Sequence, residues 1–82
     1  MNLSASISLG EVQVGQKATV LGFGDSAPYL RQRLLALGLV PGALLSVKRV
    51  APLGDPMEIE ISGTLLSLRR KEVAFVRVEI TS

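Results

Sequence analysis

The chain contains no cysteine and no histidine. Without cysteine it can form no disulfide, and without histidine it lacks the commonest metal ligand and the usual general base at neutral pH. Carboxylates are the remaining metal ligands, and sites built from oxygen alone favour hard cations over ferrous iron. Asp55, Glu58 and Glu60 could bridge a divalent ion weakly, but a polar strand face explains them better. The sequence therefore predicts no cofactor and no metal site, and it excludes most kinds of catalytic centre.

Aromatic residues and long hydrophobic runs are also scarce. One tyrosine and two phenylalanines are the only aromatic residues although 48% of the chain is hydrophobic, so a core must be filled by aliphatic side chains. No apolar run approaches the roughly 18 residues that span a bilayer, and no signal peptide is evident. We therefore expect a cytoplasmic protein with no direct membrane insertion. Its length suits one domain, with a loose N-terminal arm over residues 1–8 and a single folded unit over residues 9–82.

A short helix is predicted over residues 28–37. Leu30, Leu34 and Leu37 recur at intervals of four and three residues, which places them on one stripe of a helix. Gly38 follows the last leucine, and this position predicts a cap in which glycine takes a positive φ. Because so short a helix is marginal alone, the leucine stripe must pack on a core.

Short strands with tight turns make up most of the remaining sequence. Two of them alternate apolar and polar residues, as strands with one buried face do. In the first strand either alternate set could face the core, and the larger side chains favour Thr19, Leu21 and Phe23. Five strands are expected, at residues 17–23, 43–50, 57–61, 65–68 and 75–80.

The stretch between the last two strands is polar and suits one turn of 3₁₀ helix. Together these elements predict a mainly β fold. The predicted fold is a small SH3-like barrel of about five strands, with one inserted α-helix and a short 3₁₀ turn before the last strand.

Three segments carry the most specific pattern of the chain: LLALGLVPG, VAPLGDP and SLRRKEVAFVRVEI. They stand in the same order in the ferrous iron transport protein A (FeoA) family, which the chain closely resembles over residues 9–80. The resemblance implies an SH3-like, non-enzymatic adaptor. It also implies a partner, the membrane ferrous iron transporter FeoB with its cytosolic G-domain, and a role in supporting ferrous iron uptake.

Two other functions stay open at this point. One is that of the SH3-like C-terminal module of iron-dependent or manganese-dependent repressors, which resembles the same family. The other is a stand-alone nucleic-acid-binding barrel, but the small net charge of +2 and the scattered aromatic residues favour no nucleic acid partner. An enzyme is disfavoured because no nucleophile, base and orienting group can be assembled. A weak homo-oligomer is left open.

The predicted partner surface lies on the exposed side of the helix. Leu35 falls about 130° from the leucine stripe, and it is either an anchor for a partner or a leucine at a barrel edge. The neighbouring cations are expected to steer and pair with an acidic protein surface, although they could serve solubility alone. The proline turn extends this surface. The predicted partner-binding residues are Leu35, Arg31, Arg69, Arg70, Leu53 and Asp55.

Overall fold

The computed structural model describes residues 6–81, which form one antiparallel sheet, two helices and a 3₁₀ turn. The helices are α1 (Pro28–Ala36) and α2 (Arg70–Val73), and the 3₁₀ turn is Leu9–Glu11. Neither helix is long and apolar enough to cross a bilayer. The strands are β1 (Ser6–Ser8), β2 (Lys17–Gly22), β3 (Leu44–Val50), β4 (Met57–Ile61), β5 (Thr64–Leu68) and β6 (Arg77–Ile80). They follow the order β1-β6-β2-β3-β4-β5, so β1 and β5 are the edges of the sheet.

The five predicted strands are present, and one further strand was not predicted. Residues 6–8, assigned from the sequence to a loose arm, form β1, because Ile7 pairs with Val78 of β6 and packs against the core. The rest of that arm, residues 1–5, lies outside the described residues, as does Ser82. The prediction of a 3₁₀ turn before the last strand was wrong in kind: these residues form α2, whose hydrogen bonding is that of an α-helix.

Aliphatic side chains from the sheet and the helices meet in one core. On β4 the predicted alternation is confirmed, since Met57, Ile59 and Ile61 are buried whereas the two glutamates between them are not. Buried residues of β2, β3, β5 and β6 belong to the same cluster, so the inner faces of these strands curve around a shared interior. Each fully buried leucine, isoleucine or valine contributes about 1.5–3 kcal/mol, which makes this burial the main stabilising term.

The inward-facing residues of β2 differ from the prediction. Ala18 and Val20 are buried, whereas Thr19 is half-buried and Leu21 is exposed. Beyond Val20 a bulge sets two residues of β2 against one of β6, and this shift lets Phe23 face the core as predicted. The prediction from side-chain size was wrong for this strand because a regular alternation does not continue through a bulge.

Helix α1 packs its leucine stripe on the sheet. Leu34 is fully buried, and the other two leucines of the stripe are partly buried against the same core. The helix ends in a Schellman motif: the N–H of Leu39 donates to the C=O of Leu34, and the N–H of Gly38 donates to the C=O of Leu35, both at 3.0 Å. Gly38 has a φ of +105°, so the predicted glycine cap is confirmed.

Gly38→Val is expected to lower the free energy of unfolding by more than about 1 kcal/mol, because a β-branched residue tolerates positive φ poorly. An added Cβ would lie 3.9 Å from Ile61, an ordinary contact, so the cost comes from the backbone and not from a clash. Thermal melts of the two proteins measure it, with Gly38→Asn as a milder control because asparagine enters this region more readily. An unchanged melting temperature for the valine variant would contradict the role given to the cap.

Candidate partner-binding surface

The proline loop (residues 51–56) holds one hydrophobic side chain in solvent. The N–H of Gly54 donates to the C=O of Ala51 at 2.8 Å, and the N–H of Ala51 donates to the C=O of Pro56 at 3.0 Å. These two hydrogen bonds close the loop on itself, and its two prolines restrict the backbone further. Leu53 at the tip is 97% exposed, the most of any large hydrophobic residue that the structure describes. This leucine therefore contributes nothing to the core.

Arg70 connects the proline loop to the 3₁₀ turn near the N-terminus by hydrogen bonds. Its Nε donates to the C=O of Gly54 at 2.6 Å, and its Nη1 donates to the C=O of Gly10 in the 3₁₀ turn. Its backbone N–H donates to Oδ1 of Asp55 at 2.9 Å, which satisfies one of the free N–H groups at the start of α2. Because a guanidinium carries five donors in a rigid plane, one side chain joins α2, the proline loop and the 3₁₀ turn.

Two of the predicted partner-binding residues thus have partners within the chain. Arg70 and Asp55 are half-buried and connect α2 to the proline loop, so the prediction that both lie on a free surface was wrong. Their positions in the sequence, 15 residues apart, gave no sign of this contact. An aspartate before a proline is explained by turn formation alone, and an arginine in a basic run looks like one cation among three.

An ion pair that was not predicted from the sequence joins α1 to α2. Arg33 Nη1 lies 2.5 Å from Glu72 Oε2, and the other carboxylate oxygen accepts the N–H of Arg69 at 3.0 Å. The backbone N–H of Arg69 holds the pKa of Glu72 below its ordinary value, partial burial opposes this, and Arg33 lowers the pKa further. The contacts of Glu72 therefore stabilise the fold at pH values above the ordinary pKa of a glutamate. This contribution is lost as the pH falls through the lowered pKa of Glu72.

Leu35 lies on the opposite flank of α1 from this ion pair. Arg33 and Leu35 are each about 100° from the buried Leu34 around the helix axis, in opposite directions. Leu35 is 37% exposed, and Arg31, one turn before it, is exposed as well. Helix α2 contacts α1 through Arg33, so its cations do not surround Leu35 as predicted.

We group the four remaining predicted residues by their neighbours in the fold. We call Arg31 and Leu35 the helix face. We call Leu53 and Arg69 the loop face, because Arg69 is exposed and directly precedes the residue that binds the proline loop. Each face pairs one exposed leucine with one exposed cation, which is the composition expected of an anchor with a steering charge.

The glutamates of β4 are paired with cations of β3. Glu58 Oε1 lies 3.2 Å from Arg49 Nη2, and Glu60 Oε1 lies 3.1 Å from Lys48 Nζ. Asp55 is used by α2, so the three carboxylates considered as a weak cation site are turned to different cations or N–H groups of the chain. Within residues 6–81 no three acidic side chains come together in an arrangement that could hold a metal ion.

A model of the FeoA domain matches residues 7–80 of the chain. The chain belongs to the FeoA family. It is 34% identical over 74 residues to a Porphyromonas gingivalis protein described as an Fe(2+) transport protein A/Fe(2+) transporter FeoB fusion protein. The match covers 90% of this chain but 9% of the fusion protein, so the chain corresponds to a small part of that relative.

Solved structures of FeoA proteins have the same fold. The NMR structure of FeoA from Chlorobium tepidum is 43% identical with a TM-score of 0.85, over 93% of this chain and 71% of that one. The crystal structure of Stenotrophomonas maltophilia FeoA with zinc, described as a prokaryotic SH3 domain protein, is 26% identical with a TM-score of 0.78, over 89% of each chain. The predicted SH3-like fold and the resemblance to FeoA are confirmed.

The fold also occurs in proteins of much lower identity, among them a manganese-dependent transcriptional repressor that is 16% identical with a TM-score of 0.84, over 93% of this chain and 41% of that one. The crystal structure of IdeR from T. acidophilum has a TM-score of 0.84 over 99% of this chain and 37% of that one. Its identity to this chain is 14%, which shows a shared fold and nothing about function.

Proposed function

We propose that this FeoA-family chain is a non-enzymatic accessory protein of ferrous iron uptake that acts in the cytoplasm by binding a FeoB-type transporter. The observation that carries the proposal is the fusion relative, in which FeoA and FeoB sequences occur in one polypeptide. Fusion holds two modules at a high effective concentration. Outside such a fusion, the association has to come from a surface of the FeoA domain itself.

The loop face is the stronger candidate for this surface. Leu53 is almost fully exposed, yet the loop that carries it is closed by its own hydrogen bonds and is held by the hydrogen bond from Arg70 to Gly54. A side chain displayed on a pre-ordered backbone costs less conformational entropy on binding than one on a loose loop. Leu53 would therefore enter an apolar pocket of the transporter, with the exposed Arg69 beside acidic groups at its rim.

The helix face supports a second arrangement of the same complex. Leu35 is less exposed than Leu53, and it lies on a helix whose position is held by the core and by the Arg33 ion pair. It offers a smaller apolar area with Arg31 beside it. The two faces can be tested separately because one substitution alters each.

Leu53→Glu is expected to weaken binding to the full-length FeoB-type transporter of the same organism by about tenfold or more, because it places a charge in the apolar pocket. Co-purification from solubilised membranes and uptake of radioactive ferrous iron in cells relying on the variant measure the loss. The melting temperature should not change, since the side chain makes no core contact. Leu44→Glu is the matched control, because Leu44 is a 55% exposed leucine on the outer face of β3, away from the loop.

Two other results would distinguish an error in the proposed surface from an error in the proposed function. If Leu53→Glu binds normally and Leu35→Glu does not, the helix face is the partner surface and the loop face is excluded. If the wild-type protein neither co-purifies with the transporter nor affects uptake, the proposed function itself is wrong.

A further inference from the structure

Strand β5 forms an edge of the sheet whose backbone groups point into solvent. A two-residue turn at Ser62 and Gly63, both with positive φ, joins β4 to β5 and places Ile61 opposite Thr64. In such a hairpin the flanking residues form a hydrogen-bonded pair, and the pairs alternate from there. Leu65 and Ser67 therefore direct their N–H and C=O groups away from β4.

No other part of the described chain covers these groups. Among the hydrogen bonds of residues 6–81, none outside the strand ladder reaches the backbone of Leu65 or Ser67. Both residues are exposed, and Leu65 is 58% exposed on the outer face. The strand reads Thr-Leu-Leu-Ser-Leu and carries no charge. It therefore lacks the charged residues and prolines with which proteins usually protect an edge.

The other edge of the sheet is protected. Ser6 and Ser8 of β1 face away from β6, but the C=O of Ser6 accepts from Arg77 Nη2 at 2.7 Å. The N–H of Ser8 donates to Glu11 Oε1 at 3.1 Å. Side chains thus occupy two of the outward backbone groups of β1, whereas within residues 6–81 none is hydrogen-bonded to those of β5.

The open edge is complementary to itself. If two β5 strands lie antiparallel about a two-fold axis through Leu66, Leu65 of each copy faces Ser67 of the other. Each such pair exchanges two N–H to C=O hydrogen bonds, so the four open donors and four open acceptors of the two copies form four bonds. The two Leu65 side chains become diagonal neighbours on the outer face.

The charges near this junction allow the approach of a second copy. The strand itself is uncharged, and the nearest glutamates, Glu58 and Glu60 of β4, are paired with Arg49 and Lys48. No two like charges would therefore oppose each other along the paired strands. An edge that is uncharged, apolar and symmetric in its hydrogen bonding fits a copy of itself better than it fits a charged segment.

We propose that the chain self-associates by antiparallel pairing of β5 with β5 of a second copy, which joins two sheets of six strands into one. This inference does not rest on the proposed binding to the transporter, although β5 lies beside the loop face: Ser67 lines one cavity with Pro52 and Pro56, and Arg69 directly follows the strand. Because one short strand from each copy supplies the contact, the buried area is small and the dimer is weak, so it forms at high protein concentration.

Analytical ultracentrifugation of the wild type, Ser67→Pro and Ser67→Ala over a series of concentrations tests the proposed self-association. Proline removes the outward N–H without touching the ladder to β4, and alanine keeps that N–H. The average mass of the wild type and of Ser67→Ala is expected to rise from 8.7 kDa towards twice that value, whereas Ser67→Pro stays at 8.7 kDa. A wild type that remains at 8.7 kDa at every concentration, or a folded Ser67→Pro that associates as the wild type does, overturns the proposal.

Two further measurements cover the case in which Ser67→Pro does not fold. Leu65→Lys places two cations diagonally across the junction, so its association should be at least tenfold weaker than that of the wild type and should partly recover in high salt. In the wild type, hydrogen exchange of the Leu65 and Ser67 amides should slow as protein concentration rises.

Protection that does not depend on concentration would show that a segment of the same chain covers the edge. Protection that appears only with the transporter would assign the edge to that partner, and either result overturns self-association.

Discussion

Replacing Arg70 with methionine is expected to lower the melting temperature by on the order of 10 °C or more. The substitution keeps the aliphatic stem but removes the donors that bind the C=O groups of Gly54 and Gly10. A hydrogen bond to a charged group contributes roughly 1.5–3 kcal/mol, and a half-buried carbonyl left without a donor adds a desolvation cost. A loss of roughly 2–4 kcal/mol in a domain of this size gives the expected change in melting temperature.

Lys71→Met is the matched control for this effect. Lys71 is the next residue, it is exposed, and its replacement removes the same charge from the same helix. It should change the melting temperature by no more than a few degrees, since surface substitutions contribute little. Arg70→Lys should fall between the two, because one ammonium group cannot reach both carbonyls with the geometry of a guanidinium. Equal melting temperatures for Arg70→Met and Lys71→Met would show that Arg70 does not hold these segments together.

The stability of the loop face depends on the same arginine. If Arg70 pre-orders the proline loop, Arg70→Lys loosens the display of Leu53 while much of the fold persists. Its binding to the transporter should weaken more than its loss of stability alone explains. This links a contact inside the chain to the proposed partner surface.

Gly24→Ala is expected to lower the free energy of unfolding by roughly 2–5 kcal/mol. Gly24 has a φ of +53°, and a Cβ built on it would lie 2.7 Å from the backbone oxygen of Phe75. Real Cβ atoms do not come so close to a backbone atom, so the loop before α1 and the segment before β6 would have to move apart. The cost adds the strain of the left-handed conformation to that of overpacking.

Gly15→Ala separates these two contributions. Gly15 also has a positive φ, of +91°, but an added Cβ would meet no atom within 4 Å. It should therefore show only the backbone strain, roughly 1–2 kcal/mol. Urea denaturation of the three proteins measures both values. A Gly24→Ala variant no less stable than Gly15→Ala would mean that the contact with Phe75 yields at no cost.

Most of the chain's secondary structure could be predicted from neighbouring residues. The alternation of β4, the leucine stripe of α1 and the Gly38 cap each depend on positions a few residues apart. The family was recognisable for a similar reason, because its specific segments are short and continuous. The exceptions were β1, which needs β6 as a partner, and the inward face of β2, which depends on a bulge formed against that same strand.

The candidate surface was less predictable because its decisive contacts join distant residues. Arg70 and Gly10 are 60 positions apart, and Arg33 and Glu72 are 39 apart. In the sequence, Arg70 and its neighbours Arg69 and Lys71 are equivalent cations. In the fold, Arg70 is hydrogen-bonded to two distant carbonyl groups, whereas its neighbours are exposed. Sequence alone thus determined most of the strands, the longer helix and the tight turns, since local sterics and hydrophobic periodicity govern those. Only the tertiary structure decided which cations and carboxylates remain available to a partner, because that depends on which distant backbone groups lie within hydrogen-bonding distance.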